Sequence, residues 1–236
     1  PGAFSQTDSL KGKLVTVYSK GYKERAQTIH QLLTGAIVFY EKIYPSYPYA
    51  LQLRVLDSTD WNKLPYSMPY GMPHSRNGIV VAANKNAMFN DTTAATDISG
   101  YDAIALHELG HYFIGDLVKT DIWPNWANEF IASYYQVCYT KASGIRYPAI
   151  ETKFVATHRS LEDFEKGFQF IGGGDSYGWY QEQFMKLANM LYPKHKLAVL
   201  NAFIENYKPG GKQQEAMTLL KKIDPEIMDS WLAEMK

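Results

Sequence analysis

The chain has 236 residues, of which 46% are hydrophobic and 20% charged, and its 24 Lys and Arg balance 24 Asp and Glu. That length is enough to bury a core without staples, the balanced charge leaves no electrostatic footprint for nucleic acid or anionic lipid, and no apolar run is long enough to cross a bilayer. A single cysteine, Cys138, excludes an intramolecular disulfide and a Cys-rich metal site, so a metal here would be held by His and carboxylates. Ala3-Phe4-Ser5-Gln6 is similar to the tail left around a signal-peptide cleavage point and points to an exported chain, periplasmic or extracellular. The lack of disulfides fits the cytoplasm equally well.

Leu14–Tyr18 reads as a short strand, followed by Ile29, Leu33, Ala36, Tyr40 and Ile43 at helical spacing, up to Pro45. The alternation of Tyr and Pro over residues 44–49 signals a turn, and Leu51–Leu56 alternates as a half-buried strand does. A loop rich in Pro, Tyr, Met and Gly leads from Lys63 to Asn77 and exits into a second strand, Gly78–Ala83. From Tyr101 the apolar period becomes helical: Leu106, Leu109, Phe113 and Leu117 form one stripe, and Phe130, Tyr134 and Val137 the next. Later stripes are Phe184, Leu187 and Leu191, then Leu197, Leu200, Ile204 and Tyr207. Asp224-Pro225 marks the start of a last helix, and Gly172-Gly173-Gly174 interrupts the helical half. The expected architecture is α+β, one domain of two lobes: a mixed α/β lobe over residues 1–115 and an all-helical lobe over residues 116–236.

His107-Glu108-Leu109-Gly110-His111 falls inside the first helical stripe. Residues i and i+4 lie one above the other on a helix, about 5–6 Å apart at Cβ, so both imidazoles can reach one ion. Glu108 sits beside that ion but turned aside, where a carboxylate serves as general base to a water rather than as ligand. A catalytic zinc takes three protein ligands and keeps one position open. Glu129, which opens the next stripe after the connection over residues 121–126, is the leading third ligand, and Asp116 is its competitor. The alternative is two surface histidines one turn apart with no metal.

His107-Glu-Leu-Gly-His-Tyr-Phe-Ile-Gly-Asp-Leu-Val118, then Trp123, Trp126 and Asn128-Glu-Phe-Ile-Ala-Ser-Tyr134, resembles the core of the aminopeptidase N-like gluzincin metallopeptidases. The resemblance covers about residues 25 to 205, including Phe39–Tyr49, and does not include that family's N-terminal β-domain. It implies a thermolysin-like catalytic domain, one Zn2+ held by His107, His111 and Glu129, Glu108 as general base, and a peptide or protein substrate. The 17 residues between His111 and Glu129 are one fewer than that family usually has, which a one-residue loop deletion explains. It also implies a tyrosine that stabilises the oxyanion, here Tyr177 or else Tyr180. The family's Gly-x-Met-Glu-Asn loop, whose Glu grips a free amino terminus, is similar to Tyr70–Gly78, where Pro73 and His74 stand and the Glu is missing. Gly71, Met72 and His74 are the substrate-binding candidates there, and the following strand is an edge on which an extended peptide could pair. His30, His158 and His195 are expected to be structural. A zinc-bearing scaffold without activity and a hydrolase of a non-peptide substrate are the alternative readings.

Overall fold

The computed structural model describes residues 7–10, 14–44, 51–75, 78–87, 93–117, 123–148, 160–167 and 175–235. Residues 45–50, 76–77, 121–122, His158 and Gly172–Gly174, on which several sequence expectations fall, lie outside them. The fold is mixed α+β and mostly helical. Among the described residues the strands all precede residue 83, and every element from Gly100 onward is a helix. No helix among the described residues is long and apolar enough to cross a membrane.

The contacts divide the chain into two compact units. The first is residues 1–109 with 145–152, the second residues 110–144 with 153–236.

In the first unit, β1 (Thr7–Leu10), β2 (Leu14–Ser19), β3 (Leu51–Leu56) and β4 (Ile79–Ala82) form one sheet in that order. β1 is antiparallel to β2, whereas β2, β3 and β4 are parallel, with Leu14 opposite Leu51 and Leu53 opposite Ile79. Parallel neighbours need a crossover, and α1 (Lys23–Ile43) supplies it between β2 and β3. This helix begins six residues before the first apolar marker in its sequence stripe, and its buried face is Ala26, Ile29, Leu33, Ala36, Ile37 and Tyr40. β3 shows the alternation of its sequence, with Leu51, Leu53 and Val55 buried against half-buried Gln52 and Arg54, while all of β4 is buried. Short α2 (Ser58–Trp61) is capped by Asp57, whose carboxylate accepts from Asp60 N.

Helix α3 (Gly100–Leu117) starts on a reciprocal capping box: Ser99 N donates to Asp102 Oδ2 at 2.9 Å and Asp102 N to Ser99 Oγ at 3.2 Å. Asp102 is fully buried and pairs with Arg25 of α1 and, at 3.4 Å, with Lys85. Buried charge is tolerable only when paired in this way.

The second unit centres on α4 (Asn125–Ser143), which ends on Gly144 in the left-handed conformation. Fourteen of its residues are buried, so it has no solvent face and polar Glu129, Ser133, Gln136 and Thr140 go inside with the rest. Around it lie α5 (Leu161–Gly167), α6 (Asp175–His195) and α7 (Ala198–Tyr207). α8 (Ala216–Ile223) and α9 (Pro225–Glu234) complete the unit, and Asp224 caps α9 by accepting from Ile227 N at 3.1 Å.

Candidate metal centre

α3 carries His107 and His111 one turn apart, and α4 carries Glu129 in its second turn. One donor atom from each of the three lies within 4.8 Å of the other two. His111 Nε2 and Glu129 Oε1 are 3.6 Å apart, too far for a good hydrogen bond but a normal separation for two ligands of one ion. Two atoms bound tetrahedrally to one zinc stand about 3.3–3.6 Å apart, so the His111–Glu129 pair already has that spacing, and donor atoms as far apart as 4.8 Å would have to close by about an ångström to complete the set. Two imidazoles and one carboxylate, with Glu129 only 6% and His107 7% exposed, are a donor set that fits a metal ion.

Gly110 permits the close helix crossing this set requires. A Cβ there would stand 3.0 Å from both Cα and O of Ala132 and 3.2 Å from Cβ of Tyr135. Phe113 packs on Tyr135 at 5.0 Å on the same helix pair. The first turn of α4 is held by Glu165 of α5, whose carboxylate accepts from Asn125 N at 3.0 Å, Asn125 Nδ2 at 3.1 Å and Trp126 N at 2.7 Å. Acidic groups belong at a helix N-terminus, where free N–H groups and the helix dipole favour negative charge.

Glu129 is a buried carboxylate, and α6 supplies its donors. Gln181 Nε2 lies 2.6 Å and Tyr177 Oη 3.3 Å from its Oε2. Gln181 is absent from the sequence reading, although it sits at i+4 from Tyr177 and so on the same helix face. Tyr177 therefore stands next to the donor set. Tyr180 does not: its hydroxyl donates to Ser160 O at 2.9 Å, and burial pushes its pKa up to about 12. Ser133 donates to the backbone oxygen of Glu129, one turn back on α4. Glu108 is nearly buried, and among the described residues its carboxylate meets no hydrogen-bond or ion-pair partner. Asp116 lies in the last turn of α3, and its side chain falls outside the described part of the structure.

Gly71, Met72 and His74 are engaged in a network of their own. Gly71 O accepts from the phenol of Tyr101 at 2.9 Å, and Met72 N donates to Pro69 O. His74 is buried, with Nδ1 3.1 Å from Met72 O and Nε2 2.9 Å from Tyr66 Oη, edge-on to the rings of Trp61 and Tyr66. The edge of β4 is also taken. Val80 exchanges both backbone bonds with His74, Ala82 N donates to Tyr101 Oη at 2.9 Å, and Asn84 N donates to Tyr70 Oη at 3.4 Å. This corrects the expectation of an open edge strand: a peptide could pair with β4 only by displacing the His74 segment.

His30 and His195 have structural partners. Thr16 Oγ1 lies 2.8 Å from His30 Nδ1, and burial lowers the pKa of that imidazole; His195 Nε2 lies 2.7 Å from Asp224 Oδ2. Compared with known proteins, the chain matches no family model, no curated protein and no solved structure.

Proposed function

We propose that the chain is a zinc-dependent peptidase of the gluzincin type with a thermolysin-like catalytic domain. The observation that carries this reading is the convergence of His107, His111 and Glu129 on one point, with Glu108, whose carboxylate meets no hydrogen-bond or ion-pair partner among the described residues, next to the first ligand on the same helix. A bound Zn2+ would acidify and orient a water and polarise the scissile carbonyl. Glu108 accepts the proton of the attacking water at a carboxylate oxygen and hands it to the leaving nitrogen. Tyr177 donates its phenolic hydrogen to the developing oxyanion, a role supported by its place beside Glu129.

The Tyr70–His74 segment argues against amino-terminal recognition by a carboxylate. It carries no Glu, and its one histidine is committed to Tyr66 and Met72. The same observation favours a second reading, a zinc-bearing domain that binds but does not cut.

Turnover of a mixed peptide library, with free and N-acetylated termini, separates the two. A peptidase cleaves it, loses activity to a chelator and regains it with Zn2+. Glu108→Gln would then keep the metal and lose about 10²–10⁴-fold in rate. Full turnover by that variant sinks the general-base assignment, and no turnover by the zinc-loaded wild type favours the binding domain.

A further inference from the structure

The two oxygens of Glu129 face different surroundings. Oε1 is the one beside His111 Nε2, at 3.6 Å, whereas Oε2 accepts from Gln181 Nε2 at 2.6 Å and from Tyr177 Oη at 3.3 Å. An ionised carboxylate can only accept, so the Gln181 amide must turn its NH2 towards it. That donor is neutral. It fixes the carboxylate's rotation without cancelling the charge that a cation would need, as a lysine in its place would. α6 thus reaches α4 with two donors one turn apart, the shorter bond from Gln181 and the looser one from Tyr177.

We propose that Gln181 is the positioning residue of the metal centre: it tethers Glu129 Oε2 and so presents Oε1 as a single-oxygen ligand. The inference rests on the metal reading above and adds a division of labour to it. Because Gln181 holds the carboxylate, the Tyr177 hydroxyl can leave Glu129 for a substrate without loosening the ligand.

The test reads metal affinity, not activity. Zn2+ is titrated against a chromophoric chelator into the metal-stripped full chain and into the variants Gln181→Met, Tyr177→Phe, Glu129→Ala and Gln181→Met/Glu129→Ala. Methionine keeps the length of the side chain and removes the donor. Gln181→Met is expected to bind about 10–100-fold more weakly. Tyr177→Phe is expected to stay within a few-fold of wild type, and Gln181→Met to cost nothing further once Glu129 is alanine. This last comparison cancels any general loss of stability. Wild-type affinity in Gln181→Met, or an equal loss in both backgrounds, overturns the proposal. A wild-type chain that takes up no Zn2+ overturns this proposal and the peptidase together. One that binds Zn2+ with the predicted Gln181 effect, yet cuts no peptide, leaves Gln181 its role and removes only the peptidase.

Discussion

His111 on α3 and His74 ahead of β4 are both largely withdrawn from solvent, but their surroundings differ in kind. Both ring nitrogens of His74 have hydrogen-bond partners within 3.1 Å, Met72 O and Tyr66 Oη, and its backbone bonds Val80 in both directions. His111 instead faces a buried carboxylate at 3.6 Å and a second histidine one turn back. A polar network that closes on itself holds a loop in place. One that gathers two imidazoles and a carboxylate with donor atoms within 4.8 Å of one another could hold a metal ion.

The sharpest way to break this contrast is to delete each histidine in turn. His111→Ala is expected to reduce Zn2+ affinity by more than the 10–100-fold of a lost outer partner, with little change in the melting temperature of the metal-free chain. His74→Ala is expected to do the reverse. It leaves Zn2+ affinity intact and costs about 1–3 kcal/mol through stranded partners, or about 2–4 °C in melting temperature per kcal/mol. Equal effects of the two on metal binding would erase the distinction.

Two glycines of α3 sharpen it further. Gly110→Ala drives a methyl towards the backbone of Ala132, an overpacking that costs about 1–3 kcal/mol and pushes Glu129 away from the histidines. Gly115, exposed and with nothing within 4 Å of an added Cβ, is expected to stabilise the chain by about 0.5–1 kcal/mol when changed to Ala. Chemical denaturation of both variants checks the sign. Glu165→Ala, which strips the first turn of α4 of its carboxylate cap, is expected to cost about 0.5–2 kcal/mol.

The smallest effect concerns another buried carboxylate. Asp224 is satisfied by the Lys194 ammonium, by His195 and by Ile227 N, which hold its pKa well below the usual carboxylate range. A depressed folded-state pKa stabilises above the unfolded value and is lost as pH falls through the folded one. Asp224→Asn should therefore melt below wild type at about pH 6, with the gap narrowing as pH is lowered past about 4. A gap that widens in acid would contradict it.

Much of the fold is legible because period and punctuation coincide. The alternation in Leu51–Leu56 and the Asp224-Pro225 start signal are local physics and reappear as β3 and the capped α9. The start of α1 is not legible, since Tyr22 caps it without a side-chain bond. Ser99 and Asp102 did carry a capping-box signal, but the buried pairing of Asp102 with Arg25 depends on distant chain. At the site, His107 and His111 follow from helix spacing alone, while the gathering of Glu129 with them depends on a close helix crossing, where an added Cβ at Gly110 would stand 3.0 Å from the backbone of Ala132. Gln181 lies 52 residues from Glu129, and no local pattern joins them. The fate of His74 was hidden for the same reason, since Tyr66 and Trp61 reach it only once the loop has folded.

The central claim, that His107, His111 and Glu129 hold one metal ion, is tested most directly by metal content after dialysis against Zn2+, read by native mass spectrometry. The account predicts one tightly held Zn2+ per chain in the wild type and in Glu108→Gln, only a loosely held ion that dialysis largely removes in Glu129→Ala, and none in the double variant His107→Ala/His111→Ala. A wild-type chain that emerges metal-free, or a Glu129→Ala chain that keeps its ion as firmly as the wild type, would contradict it.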